Sequence, residues 1–171
     1  GSLVHRVLDR LASEVLRAGG APEGPAVALA ELRARTPVAW QWPGDKAVIR
    51  CLREESSRLL TESGLGFAGL EEVLWRQAWV PLQVFRDLEW ANPDASIPLL
   101  GAEVEAGVGV GQTTIRFRAD RVDLRDGALL FTDYKTGKFF SKGVKEETRR
   151  KHFRERVEMG KLLQGTGYAL A

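Results

Sequence analysis

Residues 119–138 read ADRVDLRDGALLFTDYKTGK, two apolar runs placed symmetrically about one Asp-Gly pair. Asp126-Gly127 is a strong short-range hairpin signal, because a type I′ turn needs positive φ at both central positions and these residues tolerate it. With that pair as the turn, Arg125 faces Ala128, Leu124 faces Leu129, Val122 faces Phe131, and Asp120 faces Asp133. Side chains alternate along a strand. Asp120, Val122, Leu124, Leu129, Phe131 and Asp133 are therefore expected on one core-facing side, and Arg121, Asp123 and Arg125 on the other.

Directly opposed residues of an antiparallel pair have Cβ atoms roughly 4.5–5.5 Å apart, and like charges held there repel. Either one acid keeps a proton because the other raises its pKa, or a hard divalent cation sits between them with oxygen ligands. Lys135 favours the cation: two residues beyond Asp133, it points from the same face and brings an ammonium beside the ion. A metal there polarises a phosphoryl oxygen and lowers the pKa of bound water, and the lysine stabilises charge growing on phosphorus. A hairpin with a salt-bridged rim is the plainer alternative.

RADRVD followed by DYKTGK resembles the active-site hairpin of the RecB/AddB-type nucleases of the PD-(D/E)XK superfamily. Two further motifs stand in the family's order. Gln164 and Tyr168, in LLQGTGYALA after Gly160, match a Gln-x-x-x-Tyr motif on a later helix. His5, in GSLVHRVLDRL, matches a Gly-x-x-x-His-x-x-Leu setting on the first helix. The resemblance implies an α/β restriction-endonuclease-like fold, a central mixed sheet flanked by helices, with the hairpin at its middle. It also implies a metal held by His5, Asp120, Asp133 and the Tyr134 carbonyl, with Lys135 activating water and Gln164 and Tyr168 orienting the strand or the lysine. The family often carries an active-site glutamate on the preceding strand. Glu103 is the choice here, with Glu105 left open by the register. The implied cation is Mg2+ or Mn2+, the imidazole tilting the balance towards manganese.

At 171 residues the chain suits one domain large enough to bury a sizeable core. Apolar content of 44% and charged content of 28% are ordinary for a globular protein. No run of 18 apolar residues exists to span a membrane, and no secretory signal is visible at the start, so cytoplasm is the expected compartment. Cys51 is the only cysteine. That excludes an internal disulfide and an iron–sulfur cluster held by four cysteines of this chain. Many AddB-like relatives hold such a cluster beside this fold; either this member lacks one or the cysteines lie outside the sequence. Ala171 closes the chain inside an apolar helical pattern without a stop signal, so a fragment of a larger helicase-nuclease is expected.

Leu3, Val4, Val7, Leu8, Leu11, Val15 and Leu16 recur at helical spacing and Gly19-Gly20 ends them, predicting a helix over 2–18. Further helices are expected over 24–35, 45–63 and 67–91, a helical insertion spanning about 24–97. All five tryptophans fall inside it and are read as packing residues. From Leu99 the pattern turns to strands, over 99–110, 113–124 and 128–135. Between Ser141 and Lys161 eight basic residues stand against four glutamates, either a DNA-phosphate surface or a solvated helix laced with i to i+4 pairs. The expected activity is hydrolysis of DNA, single-stranded if a helicase module feeds it, in double-strand break repair. The rival is an inactive DNA-binding or scaffold domain of the same fold. Cleavage polarity, exo against endo preference and oligomeric state leave no mark in the sequence.

Overall fold

A computed structural model describes residues 3–21, 29–92, 94–134 and 145–158. The chain runs α1 (Leu3–Ala18), α2 (Leu29–Ala34), β1 (Val38–Trp40), α3 (Asp45–Glu62), α4 (Leu70–Glu89), β2 (Ile97–Val110), β3 (Thr113–Arg125), β4 (Ala128–Thr132) and α5 (Glu146–Glu158). The architecture is α/β, a curled antiparallel sheet in the order β1-β2-β3-β4 flanked by helices. Every strand pair among the described residues is antiparallel, so the parallel pairing of a mixed sheet is not among them.

α1 forms where the periodicity placed it, burying Leu3, Val4, Val7, Leu8, Leu11 and Ala12 on one stripe. Its end is closed by two bonds that satisfy orphan carbonyls: Gly20 N–H donates to Arg17 O at 3.1 Å, and Ala21 N–H to Leu16 O at 2.9 Å. Gly20 has φ 73°, the left-handed conformation this closure requires. Gly19 answers to a different demand. A Cβ there would lie 2.6 and 2.7 Å from the two methyls of Val38 on β1, and a β-branched side chain has few rotamers with which to yield. Gly19→Ala is expected to cost about 1–3 kcal/mol, read as a lower urea midpoint with unchanged slope.

α1, α3 and α4 pack together over one face of the sheet, with Trp40, Trp75 and Trp90 buried among Val48, Leu52, Leu82, Ile97 and Leu99. Trp90 Nε1–H donates to Trp40 O at 3.0 Å. Trp42 and Trp79 lie at the margin of this core, so packing accounts for the five tryptophans. β1 was not expected; at three residues it is too short to show a period, yet it pairs Val38 with Leu99 and Trp40 with Ile97. The opposite face carries a smaller cluster: Leu32, Leu100, Val104, Ala106, Phe117, Ala119 and Val122.

The β3–β4 hairpin has the expected register. Arg125 pairs with Ala128, Leu124 with Leu129 and Val122 with Phe131. The turn residues Asp126 and Gly127 take φ 51° and 77°. Asp120 and Asp133 lie one step beyond the last described pair, Arg121 with Thr132.

Val122, Leu124, Leu129 and Phe131 share an apolar face as expected, packed in the smaller cluster. The other side is corrected by the structure: Arg121 and Asp123, assigned to a polar face, are fully buried at 0% exposure, so both faces of β3 are covered. Two irregularities in β2 go with this departure from simple alternation. Gly101 pairs with Val122 but Leu99 with Asp123, leaving Leu100 as an extra residue, and Glu103 takes φ 51°. In consequence Ala102 packs towards the helices, whereas Leu100 and Val104, two residues to either side, pack on the other face. Opposite them, Ala119 and Val122 share a cluster although three residues apart. Strict alternation fails across this patch, as β-bulges make it fail.

Candidate metal centre

The irregular patch lies beneath the first turns of α1. His5, on that helix, places Nε2 2.9 Å from Glu103 Oε1 and 3.0 Å from Asp120 Oδ1. These three residues offer donor atoms all within 4.8 Å of one another. Glu103, with left-handed backbone at φ 51°, brings its side chain to the helix, whereas Glu105 is exposed and pairs across the ladder with Arg118. The second oxygen of Glu103 is ion-paired with Arg118.

Asp120 is held at both oxygens. Oδ2 accepts the Tyr134 backbone N–H at 2.5 Å, so Oδ1 is left towards His5. Burial raises its carboxyl above the ordinary 3.8; the Tyr134 N–H and His5 oppose that, while Asp133 and Glu103 add to it. Asp133, half-buried just past β4, is thus near enough for its charge to bear on Asp120. Asp9, one turn after His5 and on the same helix face, joins the crowd. Burial and then Glu103 push its carboxyl up, against the Ser13 hydroxyl, which donates to Oδ1 at 3.4 Å.

Asp120 and Asp9, raised first by burial and further by neighbouring acids, mark a crowding of carboxylates that a cation relieves. The spacing fits a small ion as well. Around a six-coordinate ion with bonds of about 2.1 Å, adjacent ligands stand about 3.0 Å apart. The His5–Glu103 and His5–Asp120 separations, 2.9 and 3.0 Å, match that edge. One imidazole with carboxylates is a donor set that manganese or magnesium accepts.

Tyr134 reaches the cluster by its amide and by its ring, which meets the His5 ring edge-on at 5.9 Å and 86°. Behind it lies the Arg121 guanidinium, 5.9 Å from the Tyr134 centroid and 5.5 Å from that of Phe85. Arg121 pairs with Asp123 at 2.9 Å and with Glu89, at the end of α4, at 3.1 Å. The Asp123 contact is an ion pair rather than an aligned hydrogen bond, since both carboxylate oxygens lack a bonded partner of acceptable geometry. Desolvation accordingly dominates, and the Asp123 carboxyl is pushed up to about 6 although Arg121 and Arg125 pull it down.

Lys135, Gln164 and Tyr168, together with Gly160, lie outside the described residues. Of the basic segment, α5 is described. Its exposed Glu146 and Arg150 form an i to i+4 pair at 2.6 Å, the pattern of a solvated helix. Asp9 and Arg118 were missed in the sequence. Each carried a faint signal, Asp9 four residues after His5 and Arg118 two before Asp120. Arg121 and Asp123 stand within the RADRVD motif, but their burial, and the part played by Glu89, carried no signal, because charged residues at alternating positions read as solvent-facing.

The helix-borne histidine, the acids converging from two strands and the hairpin together define a metal-dependent nuclease of the restriction-endonuclease-like class. The chain belongs to the PD-(D/E)XK nuclease superfamily, whose family model matches residues 1–171. Among curated proteins and among solved structures, none matches the chain. No helix among the described residues is long and apolar enough to cross a membrane.

Proposed function

We propose that the chain is the nuclease domain of a RecB/AddB-type helicase-nuclease, cutting phosphodiester bonds of DNA in double-strand break repair in the cytoplasm. The observation that carries this reading is the His5–Glu103–Asp120 cluster at ion-ligand spacing. In this scheme His5, Asp120, Asp133 and the Tyr134 carbonyl hold Mg2+ or Mn2+, with Glu103 beside them. When bound, the ion acts as a Lewis acid on the phosphate and lowers the pKa of water.

The chain's own residues supply the rest. Tyr134 N–H fixes the Asp120 carboxylate, so that the oxygen facing His5 needs little rearrangement on loading. Arg118 holds the far oxygen of Glu103 and offsets part of the acid cluster's charge. Lys135 positions the attacking water and stabilises negative charge on the phosphoryl oxygens. Gln164 and Tyr168 orient the strand or the lysine, and the segment between α1 and β2 is a mainly helical insertion that also lends β1 to the sheet. A helicase module delivers single strands to the site, and basic residues of α5 contact their phosphates.

The test is cleavage of end-labelled single- and double-stranded DNA by the purified domain with magnesium, manganese or chelator. Lys135→Ala is expected to slow cleavage about 10²-fold at unchanged DNA affinity, and chelation to stop it. Equal inertness of wild type and variant with every metal, at retained DNA binding, would establish a scaffold instead.

A further inference from the structure

We infer that the ring of Tyr134 is a positioning residue for the cation site, acting through His5; the inference rests on the metal-dependent reading above. Tyr134 touches two of the three clustered donors by separate parts of itself. Its amide belongs to Asp120, at 2.5 Å, and its ring to His5, edge-on at 5.9 Å. The edge-to-face arrangement is the one that ring quadrupoles favour, so the Tyr134 ring selects an orientation of the imidazole.

The ring can impose that orientation because it is braced from behind. Phe85 meets it edge-on at 5.4 Å and 85°. The Arg121 guanidinium behind it is 0% exposed and pinned by Asp123 and Glu89. Arg121 also lies over Trp40, at 5.9 Å, so the brace extends into the main core. A metal-binding histidine left to rotate loses rotamer freedom on loading, and that loss weakens the ion's affinity. Groups behind the ligands that hold them in orientation are commonly worth 10–100-fold in metal affinity.

The hydroxyl has no part in this. Tyr134 Oη is buried beside Arg121 without an aligned hydrogen bond among the described residues, so the ring is the working element and phenylalanine is an adequate substitute for it.

The test is Mn2+ binding to the metal-free domain, read by calorimetry, with cooperative thermal unfolding as the control for folding. Tyr134→Leu is expected to weaken Mn2+ about 10–100-fold, and Tyr134→Phe to restore the lost affinity. In a His5→Ala background, Tyr134→Leu is expected to produce no further loss, since residues acting through one another are non-additive. Should the leucine variant not fold, Tyr134→Met takes its place with the same expectation. Unchanged affinity in the leucine or methionine variant, a phenylalanine variant as weak as leucine, or additive losses with His5→Ala would each overturn the inference. Wild-type protein that binds no Mn2+ would instead overturn the metal-dependent reading beneath it.

Discussion

Asp120→Asn is expected to reduce DNA cleavage about 10³-fold or more, because it removes a charge from the ion's ligand set and with it the main source of transition-state stabilisation. The same substitution is expected to leave the metal-free fold intact or more stable. Asparagine keeps an acceptor for Tyr134 N–H, and it relieves a carboxylate that burial, Asp133 and Glu103 all disfavour in its charged form. Ligand linkage supplies the third arm. Wild type in Mn2+ at 100 times its Kd gains about 2.7 kcal/mol of stability, read as a higher Tm, and the variant gains little. Full cleavage by Asp120→Asn, or an undiminished Mn2+-induced rise in Tm, would remove Asp120 from the site.

Arg121→Leu carries the largest expected loss of stability, about 3–5 kcal/mol, the usual result of removing one partner from a buried ion pair. Asp123 keeps only the longer contact with Arg125, at 3.7 Å, and Glu89 keeps Arg125, at 2.6 Å. The loss depends on pH, and its direction follows from Asp123. In the wild type this carboxyl is raised from 3.8 to about 6 on folding. Between those values the folded chain retains a proton that the unfolded chain has released. Stability from this group is therefore complete below about pH 4 and declines as pH rises through 6. Without Arg121 the carboxyl rises further, so the variant's deficit widens between pH 5 and pH 8. Urea titrations at those two pH values measure the difference; an equal deficit at both would mean that Asp123 is not the stranded group. Adding Asp123→Leu is expected to recover much of the loss, since apolar replacement of a whole buried pair is often neutral.

How much of this was legible in the sequence follows the range of the interactions. The hairpin was, because Asp126-Gly127 fixes the register through local backbone geometry alone. The meeting of His5 with Asp120 and Glu103 is what the family resemblance implied for those positions. The apolar face of β3 was legible, but the burial of its other side was not. Period-two alternation presumes a regular partner strand, and β2 breaks regularity at Leu100 and again at Glu103. The burial of Arg121 and Asp123 was hidden for a related reason: a charged residue goes inside only when partners from afar meet it, here Glu89 from α4 and the rings of Trp40 and Phe85. β1 escaped notice because three residues make no pattern.

Glu89 also bears on how far the domain can be trimmed. It ties the last turn of α4 to Arg121 and Arg125 on β3, and Trp40 and Phe85 wall in the same guanidinium. A minimal nuclease made by cutting away the helical block would open the middle strand to water along a permanent positive charge. Miniaturisation by that route gives an insoluble or molten product unless Arg121 and Asp123 are rewritten with it, which makes the helices between α1 and β2 an integral half of the enzyme rather than an ornament upon it.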